Sequence, residues 1–368
     1  MDLVASSLIA ALNKGHSETF EPFEVCPPLV RRFSRDRVTG GRGFTADRLL
    51  GRVWDYPRYL KTMGVLRADL FHIVDHSYSH LVHALPHRRT IVTCHDLDAF
   101  RSVLGSEPEA RSPAFRAMTR RILSGLRVAA RVTCDSRAVR DEILRFGLVP
   151  AARLSVVHNG VSAVFTPIAD GVADHAAQLL LRDVDPSVPV VLHVGSTIAR
   201  KRIDVLLDVF ARVRLGSPSA LLVRVGGALT QTQAAHAHAL GIDDAIVTLP
   251  FIAPEILAAV YRRASVVMQP SQAEGFGLPV AEAMACGTPV VASDLPVLRE
   301  IGGTACTYCP VADVAVWAEA VAALLAERGR STEQWSNRKA AAVEQAAQFT
   351  WSEYARRMAD LYEDVLQS

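Results

Sequence analysis

Nine short runs of almost continuous apolar residues recur along the chain, and most of them are followed by a polar or glycine turn and a helix-patterned segment. They are 70–74, 90–94, 131–134, 154–157, 188–194, 221–225, 245–248, 265–268 and 289–292. Strands that are apolar on both faces belong to parallel sheets covered by helices on both sides, and their alternation with helices gives an α/β architecture. Nine such strands suffice for two doubly wound sheets. The chain has 368 residues, half of them hydrophobic and 21% charged. That is enough for two ordinary domains and excludes a mainly disordered chain. No run of about 18 residues is apolar and uncharged, so no membrane-spanning helix is expected. The N-terminus has no basic region and no small-residue cleavage site after an apolar core, so no secretion signal is expected.

The boundary between the domains is expected within 159–185, where Asn159-Gly160 makes a turn, Pro167 follows and 171–185 is loosely patterned. The resulting division is an N-terminal domain over 1–165, a C-terminal domain over 166–349 and a terminal capped amphipathic helix over 350–368. At the other end, 1–12 already reads as a helix, with Leu3, Val4, Leu8 and Leu12 on one stripe. A doubly wound domain normally opens with a strand and a tight turn, and neither precedes this helix.

Six cysteines are scattered, which suits a reducing compartment and not a disulfide framework. The lone pair Cys306-Thr307-Tyr308-Cys309 has no second pair to complete a zinc site and reads as a short strand with two buried thiols. The net charge of +2 hides an asymmetry: residues 1–150 carry 23 Arg and Lys against 16 Asp and Glu, and the remainder carries 17 against 22. A basic first half suggests that it faces something anionic. Only Lys14, Lys61, Lys201 and Lys339 are lysines, so a lysine at a special position carries weight.

Two segments carry chemistry. In Pro270-Ser-Gln-Ala-Glu-Gly-Phe-Gly-Leu-Pro279, a strand gives way to a tight loop through Gly275 and Gly277. Pro279 then starts a helix that ends at Gly287, with Pro289 beyond. The free amides of such a helix start form an anion site. Glu274 in the loop and Glu282 on the helix can face one cleft at the carboxyl edge of the sheet. Carboxylates beside an anion site suit hydroxyls, such as those of a sugar and a ribose attached to a phosphate. In His193-Val-Gly-Ser-Thr-Ile-Ala-Arg-Lys-Arg202, a strand leads through Gly195 and Ser196 into a helix with Ile203, Leu206, Leu207, Phe210 and Val213 inward. Arg200, Lys201 and Arg202 stand at its start, where the helix dipole opposes cations; a bound diphosphate would offset this.

These residues resemble glycosyltransferase family 4, the retaining, nucleotide-sugar-dependent group 1 enzymes. The signature of two glutamates eight residues apart is Glu274 and Glu282 within EGFGLPVAEAMACGTPVV, and the Arg-Lys pair is Arg200 and Lys201. Further matches are Thr93–Asp96, Thr133–Ser136, Ser155–Val161 and Phe349–Tyr362, so the resemblance spans about 1–366. It implies a GT-B fold: two Rossmann-like doubly wound parallel-sheet domains facing a central cleft, here with the first strand of the N-terminal domain missing, and a terminal helix crossing back to that domain. It implies transfer of a sugar from a nucleotide-sugar to a glycan or lipid-linked acceptor, in surface polysaccharide or glycolipid biosynthesis. Arg200 and Lys201 would hold the donor diphosphate, Glu274 the sugar hydroxyls and Glu282 the ribose. Gly195, Ser196 and Gly275 would line the donor, and the amides of Phe276, Gly277 and Leu278 would cradle its phosphates. His95 would approach the sugar from the acceptor side, with Asp96 orienting it or the acceptor and His76 nearby.

The chain departs from the family in three places. Ser196 stands where many members carry an arginine, leaving Arg200 or Arg202 to supply the charge. Pro250 replaces a common glycine in the turn 249–252. The opening strand and glycine loop are absent, which implies either a start upstream or an impaired protein. Besides transfer, a catalytically impaired sugar-nucleotide-binding protein and a sugar-nucleotide epimerase are the readings to separate, and turnover separates them. No cofactor or metal is expected. His76, His80 and His83 have helical spacing, but no acidic or cysteine ligand accompanies them at matching spacing. Arg116, Arg120 and Arg127 share a helix face beside apolar Phe115, Met118, Ile122 and Leu126, a pattern compatible with anionic membrane as well as with a solvated face. The expected location is cytoplasmic, at the inner face of the plasma membrane. Nucleic-acid binding is not expected, because no aromatics interleave with the arginines for stacking.

Overall fold

The computed structural model describes residues 2–34, 41–62, 67–105, 112–181, 184–330 and 332–368. The chain forms two compact units, Met1–His158 with Trp351–Ser368, and Asn159–Thr350. The division thus falls at 158/159, where the sequence suggested 165/166.

Among the described residues there are ten strands. The first unit holds β1 (Phe71–Ile73), β2 (Thr90–Cys94), β3 (Arg131–Cys134) and β4 (Leu154–Val156) in one sheet, all parallel and in sequence order. The second holds β5 (Val190–Val194), β6 (Leu221–Val225), β7 (Ile246–Leu249), β8 (Val266–Gln269), β9 (Val290–Ser293) and β10 (Thr307–Cys309). These run in the order β10-β9-β8-β5-β6-β7, again all parallel. The order reverses between β5 and β8, and in such sheets the loops leaving the two strands diverge and open a crevice at their carboxyl ends.

The core explains why these runs are strands. In the second unit Val191, Leu222, Val266, Met268 and Val291 pack against Leu206, Phe210, Trp317 and Val321 of the helices Ile203–Gly216 and Val314–Arg330. The alternate residues Leu192, Val223 and Val267 are equally buried, so the opposite face is covered too, in part by the helix Leu278–Ala285. Each fully buried Leu or Val contributes about 1.5–3 kcal/mol. In the first unit Val92, Cys94, Val132 and Cys134 meet Ile122 and Leu126 of the helix Pro113–Val128. On the other face Ile91 and Val157 meet Val4, Leu8 and Leu12 of the helix Asp2–Gly15, together with Tyr354, Met358 and Tyr362 of the terminal helix Trp351–Gln367. Leu3 is exposed and does not belong to that stripe.

One element differs from the sequence reading. The loosely patterned stretch after 170 forms a helix, Gly171–Leu180, capped by Asp170 accepting from Val172 N–H and Ala173 N–H. It opens on glycine and its buried residues are the small Ala173 and Ala177, so its periodicity is faint. The strand β10 lies outside the nine runs because Thr307 and Tyr308 break the apolar pattern. It still covers the sheet edge with Cys306 and Cys309 buried as free thiols, as the lone pair suggested. No helix among the described residues is long and apolar enough to cross a membrane.

Candidate active site

The loops leaving β5 and β8 flank the reversal point of the six-stranded sheet. They are tied by a main-chain bond from Gln272 N–H to Arg200 O, 2.8 Å. Lys201 is carried by a short turn, Ala199–Lys201, ahead of the helix Ile203–Gly216. Its Nζ donates to Glu274 Oε1 at 2.6 Å, and the two side chains are 10% and 5% exposed. The same oxygen accepts from Gln269 Nε2 at 2.6 Å and Ser271 Oγ at 2.7 Å. Burial alone would push Glu274 up, but the Lys201 charge and these three donors hold it below the usual carboxylate range. Arg200 reaches Ala273 O at 3.0 Å and, more loosely, Glu274 Oε2 at 3.4 Å. The two loops therefore meet through an anionic carboxylate with two cations around it.

Beyond Glu274, Gly277 adopts φ +96° and caps the helix Leu278–Ala285. A Cβ there would be strained by that φ and would stand 2.7 Å from Leu298 Cδ2, so glycine is required. Among the described residues the N–H groups of Ser196, Gly277 and Leu278 make no hydrogen bond. The ring of Phe276 is buried edge-on against Phe349, which anchors the loop. Arg202 does not join the cluster. It sits at φ +48° and forks onto Asp204 with Nε and Nη2, the latter at 2.7 Å.

Glu282 has a different partner from Glu274: Tyr261 Oη, of the helix Pro254–Arg263, donates to Glu282 Oε2 at 3.0 Å. Burial pushes Glu282 up to about 7, against the lowering effect of the Tyr261 bond. The two glutamates of the signature therefore lie in opposite electrostatic surroundings. One is held ionised by a lysine, and the other titrates near neutrality.

In the first unit the acceptor-side candidates gather where β1, β2 and β3 end. His95 follows β2 directly; its Nε2 faces Val74 O at 2.7 Å and its Nδ1 faces Asp135 Oδ2 at 2.5 Å. Both partners are acceptors, so both ring nitrogens carry protons and His95 is a cation. Burial disfavours that charge, but Asp135 and the Val74 carbonyl outweigh it and raise His95 to about 9. His76 is buried beside it and accepts from His95 N–H at 3.3 Å through Nδ1, which leaves Nε2 as its donor, 3.9 Å from Asp96 Oδ1. Burial lowers the His76 pKa. His80 faces Arg52 O and His83 faces Ser124 Oγ, so the three helically spaced histidines point to three different partners. Among the described residues no cluster of His, Cys, Asp or Glu has a geometry that would hold a metal ion. The basic helix Pro113–Val128 buries Met118, Ile122 and Leu126 in the core of its own unit, leaving its arginine face and Phe115 exposed.

Sequence reasoning missed Gln269, Ser271, Tyr261 and Asp135, the residues that orient the two glutamates and His95. Asp135 carried a signal: it directly follows β3, just as His95 directly follows β2.

Comparison with known proteins identifies the family. The family model for group 1 glycosyl transferases matches residues 183–342, and that for glycosyltransferase family 4 matches 12–164. The D-inositol 3-phosphate glycosyltransferase of Mycobacteroides abscessus is 32% identical over 325 residues, 82% of this chain and 69% of the relative. The chain belongs to the family 4, group 1 glycosyltransferases. Sucrose-phosphate synthase from Thermosynechococcus elongatus shares the fold at a TM-score of 0.68 and 25% identity, over 88% of this chain and 78% of the other. Anabaena HepE, solved in complex with UDP-glucose, superposes at a TM-score of 0.69 and 20% identity, over 86% and 84%. The two parallel-sheet units are those of GT-B glycosyltransferases. In this glycosyltransferase the group 1 model covers Lys201, Glu274 and Glu282, and the family 4 model covers His76, His95 and Asp96.

Proposed function

We propose that this glycosyltransferase takes a nucleotide-sugar as donor and transfers the sugar with retained configuration. The observation that carries the donor reading is the Lys201–Glu274 pair at the reversal point of the sheet, beside the unbonded amides of Gly277 and Leu278. An ammonium has three donors, so Lys201 can keep Glu274 and still hold a phosphate oxygen. Arg200 and the helix start add charge where the leaving diphosphate would grow more negative. Glu274 Oε2, met only loosely by Arg200, is the oxygen left for a sugar hydroxyl. Glu282 would take the ribose. The nucleotide-sugar complex of HepE supports this donor class.

In the first unit His95 has no unprotonated nitrogen and is no general base. With Asp135 it supplies a fixed positive charge, and His76 and Asp96 flank it. This suits front-face attack by the acceptor hydroxyl, with the leaving phosphate taking the proton and the protein supplying position and charge. The acceptor would be a glycan or a lipid-linked or phosphorylated molecule. The basic excess of residues 1–150 and the inositol phosphate in the relatives' name both favour an anionic one. For a lipid-linked acceptor the contact surface would be the segment 41–62, not the helix Pro113–Val128. There Leu49, Val53 and Trp54 are exposed, and Arg52 and Arg58 stack on Tyr78 and Trp54. A turnover screen of UDP-, GDP- and ADP-sugars with phosphorylated and lipid-linked acceptors tests the proposal. Nucleotide binding without transfer to any acceptor would leave the impaired-binder reading in its place, and absence of nucleotide binding would end the donor reading.

A further inference from the structure

Behind the Gly195 turn lies a cation that no carboxylate answers. Arg224 on β6 is fully buried, and among the described residues its partners are two main-chain carbonyls. Nη2 donates to Gly195 O at 3.1 Å and Nη1 to Gly227 O at 3.4 Å, while Nε has no partner. Opposite it in register stands His193 on β5, also fully buried, with neither ring nitrogen bonded. Burying a guanidinium without a counter-ion is strongly unfavourable. The neighbouring cations are each answered, Lys201 and Arg200 by Glu274 and Arg202 by Asp204. A leucine or valine would extend the apolar run of β6 at no such cost, so packing does not account for Arg224.

The geometry of the two turns does. In a trans peptide the C=O and the following N–H point in opposite directions. Drawing Gly195 O inward to the guanidinium therefore turns Ser196 N–H outward, and drawing Gly227 O inward does the same for Ala228 N–H. Neither N–H makes a hydrogen bond among the described residues. The turns touch backbone to backbone: Gly226 has φ +129°, and a Cβ on it would stand 2.3 Å from Gly195 O. We infer that Arg224 is a positioning residue of the donor site, whose fork holds the two glycine carbonyls inward so that Ser196 and Ala228 present their amides to the donor diphosphate. In this role it supplies what Ser196 lacks in side-chain charge, a task the sequence left to Arg200 or Arg202. The inference rests on the nucleotide-sugar reading above. Arginine is required because a planar fork spans two carbonyls and an ammonium does not.

The test uses the full chain and inorganic pyrophosphate as probe, titrated calorimetrically against wild type, Arg224→Gln, Arg224→Lys and Lys201→Ala, with melting temperature recorded for each. Both Arg224 variants are expected to weaken pyrophosphate about tenfold or more. In turnover with the donor found by screening, Arg224→Lys should raise KM with kcat nearly unchanged. Wild-type affinity in Arg224→Lys would overturn the inference, since charge alone would then suffice. So would a lowered melting temperature with unchanged affinity in Arg224→Gln, since the role would then be structural. Should Arg224→Gln not fold, the lysine variant decides. If Lys201→Ala loses pyrophosphate while the Arg224 variants keep it, the donor site stands and this inference alone falls. If wild type does not bind pyrophosphate, the donor reading and the inference fall together.

Discussion

The two sheets are built alike, yet they treat the polar groups at their carboxyl ends in opposite ways. In the first unit the strands follow sequence order, and the imidazole there is fully engaged: His95 is bonded at both nitrogens, to Asp135 and to Val74 O, while Asp135 Oδ1 has no partner among the described residues. In the second the order reverses between β5 and β8. There Glu274 joins two loops while, among the described residues, nearby amides stay unbonded and Arg224 lies buried without an acid. The first site thus offers a cation whose ring donors are spent, whereas the second keeps main-chain donors in reserve. The reversal creates that reserve, because loops that diverge from adjacent strands cannot bond to each other along their whole length.

The sharpest way to break this contrast is Glu274→Gln. Lys201 would lose its counter-charge in a nearly dry site, so the variant should lose at least about a hundredfold in kcat and about 3 kcal/mol of stability. Steady-state kinetics and a urea melt read both; retained activity would show that the pair is only structural. Next, Asp135→Asn should destabilise the first unit by about 3 kcal/mol, because it strands a buried imidazolium. Chemical denaturation checks this.

The third test is in pH. The folded-state pKa of His95, about 9, lies above the ordinary 6.5. Its contribution is therefore complete below about pH 6.5 and is lost as pH rises through 9. Stability should fall across that window by up to about 3 kcal/mol, and His95→Gln should remove the slope. A flat profile in wild type would mean that His95 is not the fixed cation described.

Glu282 should give an effect of similar size in the second unit, in a lower pH window. Its folded-state pKa, about 7, exceeds the ordinary 4.5, so its contribution is complete below about 4.5 and fades as pH rises to 7. Glu282→Gln should flatten that part of the melting-temperature profile. The smallest expected effect is Gly277→Ala, about 1–2 kcal/mol from the left-handed backbone and the contact with Leu298, again read by denaturation.

Most of the fold was legible because parallel strands buried on both faces must be apolar throughout, and nothing else in the chain looks like them. The faint helix Gly171–Leu180 was not so clear, since alanines give no period, and β10 was read from its cysteine pair alone, since threonine and tyrosine break its apolar run. Glu274, Glu282, Arg200 and Lys201 stood out as unusual charges at strand-to-helix turns. Their pairing did not, since Lys201 and Glu274 are 73 residues apart and only the crossing order of the strands unites them. Arg224 was visible in principle as a lone charge inside the run Leu221–Val225. A charge within a buried strand is a stronger signal than one on a loop, because nothing but a specific partner tolerates it.

The first unit is discontinuous in the chain, for Tyr354, Met358 and Tyr362 complete a core begun by Val4, Leu8 and Leu12. During synthesis the helix Asp2–Gly15 can meet Ile91 and Val157 early, but its apolar side is covered only in part until the helix Trp351–Gln367 has been made. The second unit, made without interruption, can fold in the meantime, and a stop codon near 350 would cripple the half of the protein translated first.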